Sequence, residues 1–138
     1  VKTGDLDRTI EIWKFVIRAE PNRTLVRLDL ANALWQKGDV DGARFHYQQV
    51  LAADRRNSEA LNGMGLYHLR LSKLGEAEAA FRASIQSNGK NVRAMNNLAI
   101  TLERQNRRAA AIAILERASI IDPADDEVKK NLQRMKAG

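Results

Sequence analysis

One interval recurs along this chain, and it constrains the fold more than any other feature. Ala43, Ala77 and Ala111 lie 34 residues apart, as do Leu30, Met64, Leu98 and Leu132. Ala31, Gly65 and Ala99 keep the same step with small side chains, and Trp13, Tyr47, Phe81 and Leu115 keep it with large apolar ones. Pro21 and Pro123 are three steps apart, with Arg55 and Gly89 between them. Several independent columns on one period mark an array of similar units, each too small to bury its own apolar face.

Within a unit the apolar residues follow helical spacing. Ala43, Tyr47, Val50 and Leu51 recur at steps of four, three and one, which suits a helix and not a strand. Two such stretches, Leu25 to Gln36 and Val40 to Ala53, are joined by Lys37-Gly38-Asp39. Gly38 can close the first helix and Asp39 can cap the second. Large residues in one column and small ones in the next let neighbouring helices interlock at close range. Asn88-Gly89 and Pro123 mark the ends of later second helices.

Composition agrees with a helical array. Aromatic residues make up only 5% and there are two prolines, which leaves little material for an all-β fold. The absence of cysteine removes a disulfide framework and a thiolate zinc site. No run of 18 apolar residues occurs, so no membrane insertion is expected. The net charge of +6 would attract acidic partners, but the basic residues are scattered and run no longer than pairs such as Arg55-Arg56 and Arg107-Arg108. The opening Val1-Lys2-Thr3-Gly4 has neither an initiator Met nor a signal-peptide pattern. It suggests a piece of something longer or a processed form. Nothing in the sequence separates a cytoplasmic from a periplasmic location.

The columns resemble the tetratricopeptide repeat, whose pattern runs Trp, Leu, Gly, Tyr, Ala, Phe, Ala, Pro. Residues 58–91 carry Leu61, Met64, Gly65, His68, Ala77, Phe81, Ser84 and Gly89 in those slots. Residues 92–125 carry Met95, Leu98, Ala99, Leu102, Ala111, Leu115, Ala118 and Pro123. Residues 24–57 carry Arg27, Leu30, Ala31, Leu34, Ala43, Tyr47, Val50 and Arg55, and Arg27 in the Trp slot departs most from the pattern. The resemblance implies an all-α fold, an α-solenoid superhelix of antiparallel helix pairs forming one domain over residues 1–138. Residues 1–23 are expected to hold the second helix of a truncated repeat (Leu6 to Ala19), followed by repeats at 24–57, 58–91 and 92–125. Residues 126–138 would form a capping helix (Asp126 to Lys136). The N-terminal helix is expected to leave Ile10, Trp13, Phe15 and Ile17 as an apolar side in search of a neighbour.

Catalytic patterns are poor, and the chain is expected not to be an enzyme and to need no cofactor or metal. Its histidines are His46 and His68, too few for a credible metal site. His68 falls in a slot where the family packs an aromatic ring, which predicts a core or half-buried side chain. No serine sits in a Gly-x-Ser-x-Gly turn. Gly63-Met64-Gly65 looks like the start of a phosphate loop, but no third glycine follows and no strand precedes it, so close packing is the better reading.

A binding surface remains. In this family the first helices of successive units line a concave groove. That register assigns Leu25, Leu28, Asp29, Asn32, Trp35 and Gln36 to the groove from the first unit. It adds Glu59, Asn62, Gly63, Leu66, Leu69 and Arg70 from the second, and Arg93, Asn96, Asn97, Ile100, Glu103 and Arg104 from the third. Lys130, Asn131 and Arg134 come from the cap. The asparagines can each give a peptide backbone a donor and an acceptor, with Asn97 and Asn131 foremost by analogy with the family. Leu28, Trp35, Leu66, Leu69 and Ile100 would form an apolar strip. Arg70, Arg93, Arg104, Lys130 and Arg134 would form a basic one. The partner expected is a protein or peptide with apolar anchors and acidic flanks.

The carboxylate clamp by which some family members hold chaperone tails would fall on Leu28, Asn32, Gly63, Arg93 and Asn97. Its pattern is Lys, Asn, Asn, Lys, Arg, so chaperone-tail binding is not expected. Two other readings are a homo-oligomerisation module using the N-terminal helix and a helical-repeat RNA binder. The sparse aromatics and scattered charge speak against nucleic acid.

Overall fold

The computed structural model describes residues 3–138, which form eight helices and, among the described residues, no strand. They are α1 (Thr3–Ala19), α2 (Thr24–Lys37), α3 (Val40–Ala53), α4 (Ser58–Arg70), α5 (Leu74–Ser87), α6 (Val92–Arg104), α7 (Arg108–Ile121) and α8 (Asp126–Ala137). The first helix begins at Thr3 and not at Leu6, because its opening turn extends through Gly4 and Asp5. No helix among the described residues is long and apolar enough to cross a membrane.

The turns repeat as regularly as the columns. Gly38, Ser72 and Asn106 stand 34 residues apart, and all three adopt left-handed backbone, with φ of 94°, 58° and 62°. Each lets the next residue's amide reach back to a helix carbonyl: Asp39 N to Leu34 O, Lys73 N to His68 O and Arg107 N to Leu102 O, each at 2.9 Å. This helix-closing motif reverses the chain within two or three residues and produces helical hairpins. The side chain of Asp39 caps α3 by accepting from Gly42 N at 2.9 Å, whereas Lys73 and Arg107 provide no cap to α5 and α7. Asn57, Asn91 and Asp125 cap α4, α6 and α8 through Ala60, Ala94 and Val128 amides.

Helices α2, α4, α6 and α8 touch one another in series, while α1, α3, α5 and α7 touch only first-type helices. The even-numbered helices therefore form the tighter inner layer and the others a splayed outer one. Helix α4 holds two outer helices close through its glycines: the Tyr47 ring of α3 lies on Gly63 and the Phe81 ring of α5 on Gly65. The Gly63-Met64-Gly65 sequence is thus a packing device, with no space for a phosphate at either α-carbon.

Tyr47, Phe81 and Leu115 are all buried. Trp13, in the same column, is half-buried because α1 packs on α2 alone. The apolar side expected on α1 needs correction. Ile10 and Ile17 are buried against the core around α2, and the residues left outside are Ile12 at 62% and Phe15 at 65% exposure.

Two departures from the repeat pattern have local explanations. Arg27, in the Trp slot, directs one guanidinium nitrogen to His46 Nδ1 at 3.0 Å and donates another to the Pro21 carbonyl at 3.0 Å. Ser84 has apolar Val50 and Ala118 as its column neighbours, yet it is fully buried. Its hydroxyl donates to the Ser58 carbonyl at 2.7 Å, the Ser58 hydroxyl donates to the Ser84 carbonyl at 2.9 Å, and Asn91 Nδ2 donates to Ser58 Oγ at 2.9 Å. A buried hydroxyl is tolerated when it is bonded in this way.

Candidate functional site

The inner layer presents its side chains on one concave face. Two adjoining cavities of about 400 and 360 Å3 lie there and share Leu66, Arg93 and Asp125. Between them they gather Asn32, Glu59, Asn62, Gly63, Leu66, Arg93, Asn96, Asn97 and Ile100 from the expected groove residues. Trp35, Leu69, Arg70, Arg104, Asn131 and Arg134 do not line either cavity.

The asparagines are paired. Asn97 Nδ2 donates to Asn62 Oδ1 at 3.0 Å, and Asn131 Nδ2 donates to Asn96 Oδ1 at 2.8 Å. Each bond joins neighbouring first helices, linking residues 35 apart in sequence. The pairing leaves an N–H2 on Asn62 and Asn96 and a carbonyl oxygen on Asn97 and Asn131. The last of these also lies 3.4 Å from an Arg134 nitrogen. In the first unit the corresponding partners are Leu28 and Gly63, so no such pair exists. The Tyr47 ring fills that place and its hydroxyl donates to Asn32 Oδ1. Burial pushes the Tyr47 hydroxyl up to about 12, against a smaller opposing effect of Arg93, so it stays a protonated donor at neutral pH.

Several expected groove residues have other roles. Leu28 is a core side chain at 3% exposure, because the inner helices meet closely there. Gly63 is covered by Tyr47. Leu69 and Trp35 are half-buried and pack on the core, and Leu66 does so while also facing the cavities. Arg104 spans two units, donating to the Leu69 carbonyl at 3.3 Å and to the Ser72 hydroxyl at 3.0 Å. Arg134 pairs with Glu103 at 2.7 Å, and its hydrogen bond holds that carboxyl below its ordinary range. The basic strip is therefore shorter than expected. Arg70, Arg93 and Lys130 make no ion pair with a described residue.

Sequence reasoning missed part of the lining: Tyr47, Asn88, Lys90, Asn91, Val92, Asp122, Asp125 and Glu127. Most of these lie at second-helix ends and the turns that follow them, outside the helix stripe used for the assignment. Asn57, Asn91 and Asp125 fall 34 residues apart as cap residues, and two of the three, Asn91 and Asp125, line the cavities.

No group of three or more His, Asp or Glu side chains converges on a metal-sized site among the described residues. His68 is half-buried, packed edge-on to Tyr67, with its Nδ1 buried and unbonded.

The chain is 26% identical over 129 residues to BBSome complex member bbs-4 of Caenorhabditis elegans, a match that covers 94% of this chain but 28% of that protein. Among solved structures, the first TPR of Spaghetti (RPAP3) bound to HSP90 peptide SRMEEVD superposes with a TM-score of 0.77 at 20% identity, covering 83% of this chain and 94% of that one. MamA protein superposes with a TM-score of 0.77 at 21% identity, covering 97% of this chain and 73% of that one. The Arabidopsis OM64 TPR domain gives 0.75 at 19%, covering 83% and 94%. At identities this low, these superpositions show the fold alone. The tetratricopeptide repeat model itself matches residues 1–59, 28–91 and 62–126, and with its hairpins and columns in place the chain belongs to the tetratricopeptide repeat family.

Proposed function

We propose that the concave face holds an extended segment of a partner protein, and that this chain works as an interaction scaffold within a larger assembly. The observation that carries the reading is the pair of asparagine bonds. Each leaves one donor and one acceptor, the same complement that a peptide unit offers from its backbone. Leu66 and Ile100 adjoin the pairs and would seat apolar side chains. Arg93, unpaired and on both cavities, would meet an acidic residue. In this reading residues 24–57, 58–91 and 92–125 act as three units between the second helix of a leading unit and a capping helix. The RPAP3 domain holds its HSP90 peptide on the same fold. Here two of the clamp positions, Leu28 and Gly63, are buried, which argues for a partner other than a chaperone tail.

Selection from a random peptide library tests the proposal. The wild-type chain should enrich a family of related sequences, and Asn97→Ala with Asn131→Ala should weaken their binding by about tenfold or more. Equal affinity of the double variant would remove the reading.

A second reading rests on α1. Ile12, Phe15 and, on α3, Phe45 are more than half exposed, and exposed apolar residues of this size suit pairing of two copies through the leading edge. Sedimentation at rising concentration should then show a dimer that Ile12→Glu with Phe15→Glu abolishes. A monomer throughout would eliminate it.

A further inference from the structure

The outer face carries three crevices at equivalent junctions, each bordered by a turn residue and by a residue of the next outer helix. The borders are Pro21 and Gln49 at the first junction, Arg55 and Ala83 at the second, and Gly89 and Arg117 at the third. The third differs in chemistry from the other two. Gly89 has no side chain, and the atoms nearest to a Cβ placed on it are Arg117 Nη2 at 3.9 Å and the Ile85 carbonyl oxygen at 4.0 Å. The crevice encloses about 400 Å3 and reaches the wholly buried Leu98 of α6, with Ile85 and Ile114 as apolar walls. The first crevice, with Pro21 at the same position, encloses about 450 Å3 and the second, with Arg55, about 210 Å3, but of the three the third alone joins three large aliphatic side chains to two arginines.

Two guanidinium groups border this crevice beside its apolar walls. Arg117 makes no ion pair with a described residue. Arg82 gives its Nε to Glu78 at 2.9 Å, but Glu78 is also held by Arg107 at 3.0 Å, so the positive charge at the crevice exceeds the negative. Arginine beside apolar surface favours a carboxylate, because the planar donors can form two parallel bonds while the stem packs on hydrocarbon.

We infer that this crevice is a second docking site, on the face opposite the groove, for a partner protein segment presenting a leucine-sized side chain next to an acidic residue. The crevice is open along one side, so it suits one side chain of a protein whose backbone remains outside, and not a small molecule that must be enclosed. A scaffold with sites on both faces can hold two partners at once.

The test uses the whole chain with isotope-labelled isoleucine and leucine methyl groups and three capped tripeptides: acetyl-Asp-Leu-Glu-amide, acetyl-Lys-Leu-Lys-amide and acetyl-Asp-Gly-Glu-amide. The acidic leucine peptide should shift the Ile85 and Ile114 methyl resonances saturably and leave Ile100 unmoved. The other two should bind at least about tenfold more weakly. Arg117→Glu should remove the response. Asn97→Ala with Asn131→Ala should not affect it, which separates this site from the groove. Equal shifts from the lysine peptide, or a full response in Arg117→Glu, would overturn the assignment.

Discussion

The ring of Tyr47 lies directly on the α-carbon of Gly63, so that a Cβ at this glycine would come within 2.5 Å of ring carbon. An aromatic ring cannot yield by rotating away as a flexible side chain can. Gly63→Ala should therefore destabilise the fold by about 1–3 kcal/mol despite the better helix propensity of alanine. Gly75, also helical, has nothing within 4 Å of the corresponding point. Gly75→Ala should stabilise by about 0.5–1 kcal/mol. Paired urea transitions of the two variants check the contrast.

The left-handed turn column gives a second prediction. Gly38 adopts φ 94° freely, whereas Asn106 adopts 62° at a steric cost. Asn106→Gly should raise stability by about 0.5 kcal/mol and Gly38→Ala should lower it by about 1 kcal/mol. Ser72→Gly should gain less than Asn106→Gly, since it also loses the bond from Arg104. Melting temperatures of the three variants would rank them.

Most of the fold was legible because each column carries a steric instruction. Large residues recur at 47, 81 and 115 and small ones at 31, 65 and 99, with the Phe81 ring lying on Gly65, and Gly38 announced the turn whose geometry Ser72 and Asn106 repeat. The groove was less legible. A 34-residue period treats Leu28, Asn62, Asn96 and Lys130 as equivalents, yet their exposure rises along the array as fewer neighbours cover them. The asparagine bonds join residues 35 apart, which reflects the displacement of one helix along the next. No single column contains that displacement. The roles of Arg104 and Arg134 were hidden for the same reason, since their partners come from another unit.

Asn62 separates stability from binding. Its amide is nearly buried, and the first unit has Leu28 in that column, also buried. Asn62→Leu combined with Asn97→Leu should fold with stability within about 1 kcal/mol of wild type, since exchanging both partners of a buried hydrogen bond for apolar groups of similar size can be nearly neutral. It should nevertheless lose affinity for groove-selected peptides. Calorimetric unfolding and peptide titration on the same sample check both halves.

The Arg27–His46 contact makes a pH prediction. With a guanidinium against Nδ1, the ring must be neutral, and burial followed by the charge of Arg27 holds it down at about 4. The unfolded chain takes up that proton near 6.5, so between those values it binds more protons than the folded chain. Stability then rises with pH through this window and falls on acidification. His46→Asn keeps an acceptor for Arg27 but cannot titrate. The difference in melting temperature between wild type and variant should be flat above about pH 7 and should turn in the variant's favour towards about pH 4.

The Ser84 bonds bear on how such a chain avoids pairing its helices wrongly. Helices of equal length and similar shape could pair one unit out of step, since apolar columns would still meet apolar columns. Ser84 opposes this. With α6 in the place of α4, its hydroxyl would face Val92, the equivalent of Ser58. A buried hydroxyl without a partner costs about 1–3 kcal/mol. The middle hairpin therefore carries an address: α5 has one correct partner, α4, and that choice is written into two hydroxyl groups.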